Sequence, residues 1–269
     1  ITVVEHNFDG SRVQLEGDGS ISGWSSNGDT HTATITFSED GEYEFSLSGT
    51  DLANNAMEGY QSGRFIIDQT APELTVSGVQ NSVSYKEDVG FDVSMSDQYI
   101  DTTRTSVELV GRRNGTIRIN GSVSQTDGTY SFANMPIDET YDDIYTLNAV
   151  VTDLAGNVSK QSIMFSVNRF GSQYIFLDAS MLNNYLNEAR DVVIDEINVD
   201  RLDMSKARVS VIRDGNEINM DEDLITIEES GGETDKYNYR YTIDKSAFDT
   251  DGRYLVQIFS HAIEGTNYS

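Results

Sequence analysis

Asp142-Asp143-Ile144-Tyr145-Thr146-Leu147, followed by Thr152-Asp153-Leu154-Ala155-Gly156-Asn157, decides the fold, because the chain states it more than once. About 100 residues earlier, Asp40-Gly41-Glu42-Tyr43-Glu44-Phe45 leads to Thr50-Asp51-Leu52-Ala53-Asn54-Asn55. In both copies the tyrosine lies eight residues before the aspartate, so the phrase is a reused structural module. A third copy, Asp251-Gly252-Arg253-Tyr254-Leu255-Val256, opens alike and decays into Ser260-His261-Ala262-Ile263-Glu264-Gly265-Thr266-Asn267. Such a period is too long for a solenoid and suits tandem autonomous domains.

Working outward, apolar residues alternate with polar ones. Ala33, Ile35 and Phe37 share a face, as do Tyr43, Phe45 and Leu47, then Val89, Phe91, Val93 and Met95, then Tyr145, Leu147, Ala149 and Val151, and later Tyr254, Val256 and Ile258. A period of two marks half-buried strands of antiparallel sheets. Between the runs stand Asn114-Gly115, Asn120-Gly121, Asp127-Gly128, Asp214-Gly215 and Asp251-Gly252, residues that tolerate the positive φ of tight hairpins. Helical spacing occurs from Asp178 to Arg190, where Met181, Leu182, Tyr185, Leu186 and Ala189 predict one short helix capped at Asp178 or Ser180. Pro72 and the region of Asn168 break the pattern and suit linkers. The expectation is an all-β chain of three sandwiches, over residues 1–72, 73–168 and 169–269, the last divergent and carrying the helix.

Acidic residues number 45 and basic ones 18, a formal charge of −27. The excess is spread over all three pieces, at 12 against 2, 13 against 6 and 20 against 10. That charge repels nucleic acid and anionic membranes, whose phosphates need cationic contacts. The absence of cysteine excludes a disulfide framework, a thiolate metal site and a cysteine nucleophile. No apolar run approaches the roughly 20 residues of a membrane span, so no membrane insertion is expected. The chain opens mid-strand at Ile1-Thr2-Val3-Val4 and the third copy stops before a terminal strand, so an internal slice of a longer protein is expected.

A tyrosine at a strand start, preceded by glycine at Gly41 and Gly252 and followed two residues on by Phe45, Leu147 or Val256, matches the immunoglobulin tyrosine corner. Its ring fills the end of the core while its hydroxyl returns to the preceding backbone. The run from Asp40 to Pro72, with Gly41-x-Tyr43-x-Phe45, Thr50-Asp51-x-Ala53-x-Asn55 and Phe65-Ile66-Ile67-Asp68-x-Thr70-Ala71-Pro72, resembles the bacterial Ig-like repeats of Gram-positive cell-surface or secreted proteins. The resemblance covers most of residues 30–168, and 252–267 only loosely; residues 171–250 depart furthest. It implies immunoglobulin- or fibronectin-III-like sandwiches that act as spacers, adhesin stalks or accessory modules beside carbohydrate-active enzymes. Function itself belongs to sites grafted on such folds.

Asp51 and Asp153 admit two readings. As calcium ligands near a domain junction, helped by Asp68 or Asn168, they would supply the oxygens that Ca²⁺ requires. As Asx-turn residues they would accept backbone N–H groups, which explains the following Asn and Gly equally well and is favoured because no loop motif is matched. Calcium is thus the one cofactor considered. The acidic clusters around Asp191 to Asp203, Asp221 to Asp223 and Glu228-Glu229 read as a solvated face.

His6, His31 and His261 stand far apart, with no metal or triad spacing, so no enzyme is expected. Trp24, alone in a Ser/Gly/Asn-rich stretch, is the candidate sugar platform, with a core plug as the competing reading. Tyr237, Tyr239 and Tyr241 share a face that Ile243 continues, which favours core. The function expected is a non-catalytic structural or adhesive segment of a bacterial extracellular or cell-wall protein. Its partners would be neighbouring domains, a glycan or a host surface protein. The alternative is a carbohydrate-binding or accessory module of a secreted glycoside hydrolase.

Overall fold

The computed structural model describes residues 1–232, 235–261 and 263. Ala262 and Glu264 to Asn267, in the decayed third phrase, lie outside the described residues. The chain divides into two units, residues 1–71 with 153–157, and residues 72–152 with 158–269.

The first unit is built of short strands: β1 (Thr2–Val4), β2 (Gln14–Glu16), β3 (Ser20–Ile21), β4 (Ser25–Asn27), β5 (Thr30–Thr32), β6 (Ile35–Thr36), β7 (Gly41–Tyr43), β8 (Ser46–Ser48), β9 (Tyr60–Gln61) and β10 (Phe65–Ile67). They pair antiparallel in the orders β1-β5-β4, β2-β8-β9, β3-β6 and β7-β10. Aromatic rings fill its interior, with Phe37 lying 4.9 Å from Tyr43 and 5.1 Å from Phe65. Elsewhere in the unit Phe8 stacks on His31 at 4.0 Å. The His31 Nε2–H donates to the Glu5 carbonyl at 2.9 Å, so this buried imidazole serves packing.

The second unit holds two sandwiches. The first comprises β11 (Glu73–Ser77), β12 (Ser84–Tyr85), β13 (Phe91–Ser96), β14 (Ser106–Gly111), β15 (Gly115–Ile117), β16 (Asn120–Val123), β17 (Asp127–Phe132), β18 (Asp143–Thr152) and β19 (Val158–Val167). A sheet β11-β13-β17-β16 faces a sheet β12-β19-β18-β14-β15. Phe91, Val93 and Met95 from one meet Leu109, Tyr145, Leu147, Ala149 and Phe165 from the other, all buried as the alternation predicts. Each of the Val, Leu, Met and Phe side chains among them contributes roughly 1.5–3 kcal/mol of burial.

The other sandwich comprises β20 (Gln173–Phe176), β21 (Val192–Asn198), β22 (Arg208–Arg213), β23 (Asn216–Glu217), β24 (Ile225–Gly231), β25 (Tyr237–Ile243) and β26 (Tyr254–Phe259). Its sheets run β20-β21-β25-β24 and β23-β22-β26. The chain is therefore a tandem of immunoglobulin-like antiparallel β-sandwiches. The helix predicted over 178–190 shortens to a single 3-10 turn, Ala179–Met181, capped by Asp178. Asn183 adopts φ 55°, which ends helical propagation, and Leu182, Tyr185 and Leu186 find no apolar surface and stay exposed.

The repeated tyrosines make the same bond. Tyr43 donates to Glu39 O at 2.8 Å, Tyr145 to Tyr141 O at 2.8 Å, and Tyr254 to Thr250 O. Tyr145 is fully buried and also accepts Asn114 Nδ2 at 3.0 Å; burial pushes its phenol up to about 12. Replacement Tyr145→Phe is expected to cost about 1–3 kcal/mol in urea unfolding, because the Tyr141 carbonyl loses its donor. A phenol raised in the folded state favours folding below its unfolded value of about 10, an advantage lost as pH rises toward the folded value. Stability measured between pH 10 and 12 should therefore fall less steeply in Tyr145→Phe than in the parent.

Candidate functional site

In β21 the sequence Val192-Val193-Ile194-Asp195-Glu196-Ile197-Asn198 places two carboxylates in mid-strand. Adjacent residues face opposite sides of a sheet, yet both are buried. Asp195 is met across the ladder by Arg240, whose Nε and Nη2 donate at 2.8 Å each. The guanidinium holds that carboxyl below the usual range. Glu196, 0% exposed, instead accepts three hydroxyls: Tyr241 at 2.7 Å, Tyr174 at 3.0 Å and Ser260. Burial pushes the Tyr241 phenol far up, which keeps it a donor.

Beyond β21 the strand ends in Asn198-Val199-Asp200, and Asp200, 7% exposed, enters a second network. Its Oδ2 accepts Ser84 Oγ of β12 at 2.8 Å and Asn168 Nδ2 at 2.7 Å, and its Oδ1 accepts Ser166 Oγ of β19 at 2.6 Å. Asn168 Nδ2 also donates to Asn198 Oδ1 at 2.9 Å, while Asn198 Nδ2 donates to Ser172 Oγ at 2.8 Å. All of these except Ser172 are buried. One carboxylate thus ties the end of one sandwich to the start of the next, within the second unit. Arg169 adds bonds from its guanidinium to the carbonyls of Glu87, Met135 and Pro136. Asp142 accepts the Phe170 N–H at 2.9 Å, and its burial raises its carboxyl above the usual range.

The solvated-face reading of the third piece therefore fails at Asp195, Glu196 and Asp200. Their signal was available: carboxylates inside an apolar strand next to Asn198 leave a solvated face only if the strand is exposed on that side. The partners were not legible, because Ser84, Ser166 and Asn168 carry no distinguishing pattern.

Asp51 lies against its own turn, with its carboxylate taking Asn55 N–H at 2.7 Å and Asn55 Nδ2 at 2.8 Å. The bonds from Asn55 hold this carboxyl below its ordinary range. Asp153, 0% exposed, does the same with Gly156 N–H, Asn157 N–H and Asn157 Nδ2 at 2.6, 2.8 and 2.7 Å. Asn54 and Gly156, at equivalent places, take φ 66° and 101°, which requires residues that tolerate the left-handed region. These are the Asx-turn contacts. In the first unit Asp68 and Asp153 also bring carboxylate oxygens within 4.8 Å of each other, and Asn157 Nδ2 donates to Asp68 O at 2.9 Å. Asp51 does not join them.

Trp24 is half-buried, edge-on to Phe8 at 4.8 Å and pressed on Gly10, where an added Cβ would meet its ring at 2.4 Å. Tyr239, Tyr241 and Ile243 are core. Within the second unit, one cleft of about 320 Å³ is lined by Arg113, Glu139, Lys236 and Asn238, and one of about 400 Å³ by Lys86, Asp88, Arg169 and Phe170. Neither cleft is lined by Glu196, Asp200 or a histidine.

No family model and no curated protein matches the chain. Among solved structures it is similar to a titin fragment described as Titin-A168169, at 10% identity and TM-score 0.33, over 72% of this chain and 97% of that one. It is also similar to the N-terminal Ig1-2 module of the Drosophila receptor protein tyrosine phosphatase DLAR, at 11% identity and TM-score 0.23, over 74% and 93%. The immunoglobulin-like assignment here rests on the corners and sheets themselves.

Asp200→Ala would strand the two buried hydroxyls of Ser84 and Ser166, each costing about 1–3 kcal/mol if left unpaired, while the Asn168 amide keeps Asn198 Oδ1. Urea unfolding should show a loss of about 2 kcal/mol or more on that basis, whereas Asp200→Asn, which keeps a carbonyl acceptor, should lose distinctly less.

Proposed function

We propose that this chain is a non-catalytic structural or adhesive segment of a bacterial extracellular or cell-surface protein, acting as a spacer or binding stalk. The Asp200 network carries the reading. Asp200 holds two consecutive sandwiches together through Ser84, Ser166 and Asn168 and lines neither cleft, which supports a structural role. The charge of −27 suits a segment that stays soluble and clear of nucleic acid and anionic lipid. Among the described residues no helix is long and apolar enough to cross a membrane. Neighbouring domains of a longer chain are its first partners, and a glycan or a surface protein its external one.

The alternative, a sugar-binding accessory module, has one observation in its favour: Tyr60 and Tyr185 present exposed rings of the kind on which sugars stack. The competing roles separate in one experiment. Incubated with cell-wall and plant polysaccharides, the full chain should release no reducing ends, and a segment that is a spacer rather than a glycan adhesin should show no saturable retardation in affinity gels. Release that falls in Glu196→Gln would establish an enzyme, and retardation lost in Tyr185→Ala would establish the accessory module.

The turn contacts of Asp51 and Asp153 support a chain that needs no cofactor. Melting temperatures in EDTA and in millimolar Ca²⁺ should then coincide, since a ligand bound only by the folded state must raise the midpoint. A rise abolished by Asp68→Asn would assign Asp68 and Asp153 to a cation.

A further inference from the structure

Asn-Gly occurs three times in the chain, at Asn27-Gly28, Asn114-Gly115 and Asn120-Gly121. In this dipeptide the glycine has no Cβ, so its backbone nitrogen can swing onto the asparagine Cγ with the least steric resistance. Attack there expels the side-chain amide as ammonia and closes a five-membered succinimide. Two conditions govern the step in a folded chain. The asparagine amide must be free to leave, and the next backbone nitrogen must be free to turn toward it.

Asn114 and Asn120 each fail one of them. Asn114 is half-buried, and its Nδ2 donates to Thr140 O at 2.9 Å and to the Tyr145 hydroxyl at 3.0 Å. Its backbone N–H is held by Asp143 Oδ2 at 3.0 Å, and Gly115 is fixed opposite Gly111 in the β14–β15 ladder. Asn120 is exposed, but the glycine after it is pinned. Gly121 lies opposite Tyr130 within four consecutive β16–β17 pairs, so close that an added Cβ would overlap the Tyr130 ring. Asn27 meets both conditions. It ends β4, the outer strand of β1-β5-β4, which three pairs join to β5. Residues 25–30 are all exposed. Among the described residues no hydrogen bond holds the Asn27 side chain or the Gly28 N–H. Gly28 turns the hairpin at φ 60°, with nothing within 4 Å of the place a Cβ would occupy. A short outer strand of this kind opens locally at low cost, which frees Asn27 to rotate toward Gly28 N.

We propose that Asn27 is a site of self-modification, at which the Gly28 nitrogen displaces the Asn27 side-chain amide and water opens the resulting ring. The bond from Gly28 N to Asn27 Cγ forms as the Cγ–Nδ2 bond breaks, and the Gly28 amide proton leaves with the departing nitrogen as ammonia. Water then adds to one of the two ring carbonyls. Cleavage of the bond at Cγ leaves an aspartate at position 27, and cleavage at the backbone carbonyl leaves an isoaspartate there. No electrons are transferred, and water is the sole co-reactant. Either product sets a new carboxylate two residues from Asp29. The isoaspartate also lengthens the main chain by one carbon just before the turn, which breaks the pairing of position 27 with Thr30 and loosens β4 from β5. The inference is independent of the spacer reading, since it concerns one hairpin of the first unit.

The test incubates the full chain in mildly alkaline buffer made with heavy-oxygen water, beside a synthetic peptide of residues 23–32. Peptide mapping by mass spectrometry, with fragmentation that separates aspartate from isoaspartate, follows each Asn-Gly in time. Asn27 should convert at least about tenfold faster than Asn114 or Asn120, equivalent to about 1.4 kcal/mol of local restraint, and within about tenfold of the free peptide. Each converted site should carry one heavy oxygen, and in concentrated urea the three rates should converge. In Asn27→Gln, whose longer side chain must close a six-membered ring, the early uptake of heavy oxygen should vanish while the melting temperature stays unchanged. Conversion of Asn27 more than about tenfold slower than the peptide would overturn the proposal, as would a smaller gap to Asn114 or Asn120 in the folded chain. Early uptake that persists in Asn27→Gln would overturn it too, by placing the reaction elsewhere.

Discussion

A polar group withdrawn from water must find a partner inside the fold, and this constraint organises the chain. Leaving such a group unpaired costs about 1–3 kcal/mol, a large share of a domain's net stability of roughly 5–15 kcal/mol. Without cysteine, the sandwiches have no disulfide brace, and apolar burial and satisfied polar contacts carry the load. The tyrosine corners answer the constraint at the strand starts, where each hydroxyl returns to a carbonyl four residues back. The Asx turns answer it at the following loops, where Asp51 and Asp153 collect the backbone and amide donors of their own turns.

The same constraint gives the last sandwich its character. Glu196 and Asp200 are buried acids answered by hydroxyls and amides rather than by cations. Such pairing is directional, because each donor must lie within hydrogen-bonding distance and angle of one oxygen. A junction held this way tolerates little sliding. Asp142 is an incomplete case: Oδ2 holds the Phe170 N–H and, among the described residues, Oδ1 has no partner, in keeping with a carboxyl raised by burial.

The repeated phrase made most of the fold legible. Tyr145, Leu147, Ala149 and Val151 alternate in sequence and lie buried together, and the hairpin glycines at Gly115 and Gly215 take the positive φ that their turns require. Local signals of this kind act between residues near in sequence. The helix over 178–190 misled because its apolar spacing had no surface to cover, and spacing alone does not stabilise a helix of that length. The Asp200 network was invisible for the opposite reason. Its partners Ser84, Ser166 and Asn168 come from separate segments and are brought together only by the fold.

Native-state hydrogen exchange on the full chain tests the central claim, that the Asp200 junction makes the two sandwiches of the second unit one cooperative body. Amides of β18 and β19 and those of β21 and β25 should exchange with a common opening free energy, and Asp200→Ala should split them into two groups. If β21 and β25 already open at a separate, lower free energy in the parent chain, the buried carboxylate does not couple the sandwiches and the account is wrong.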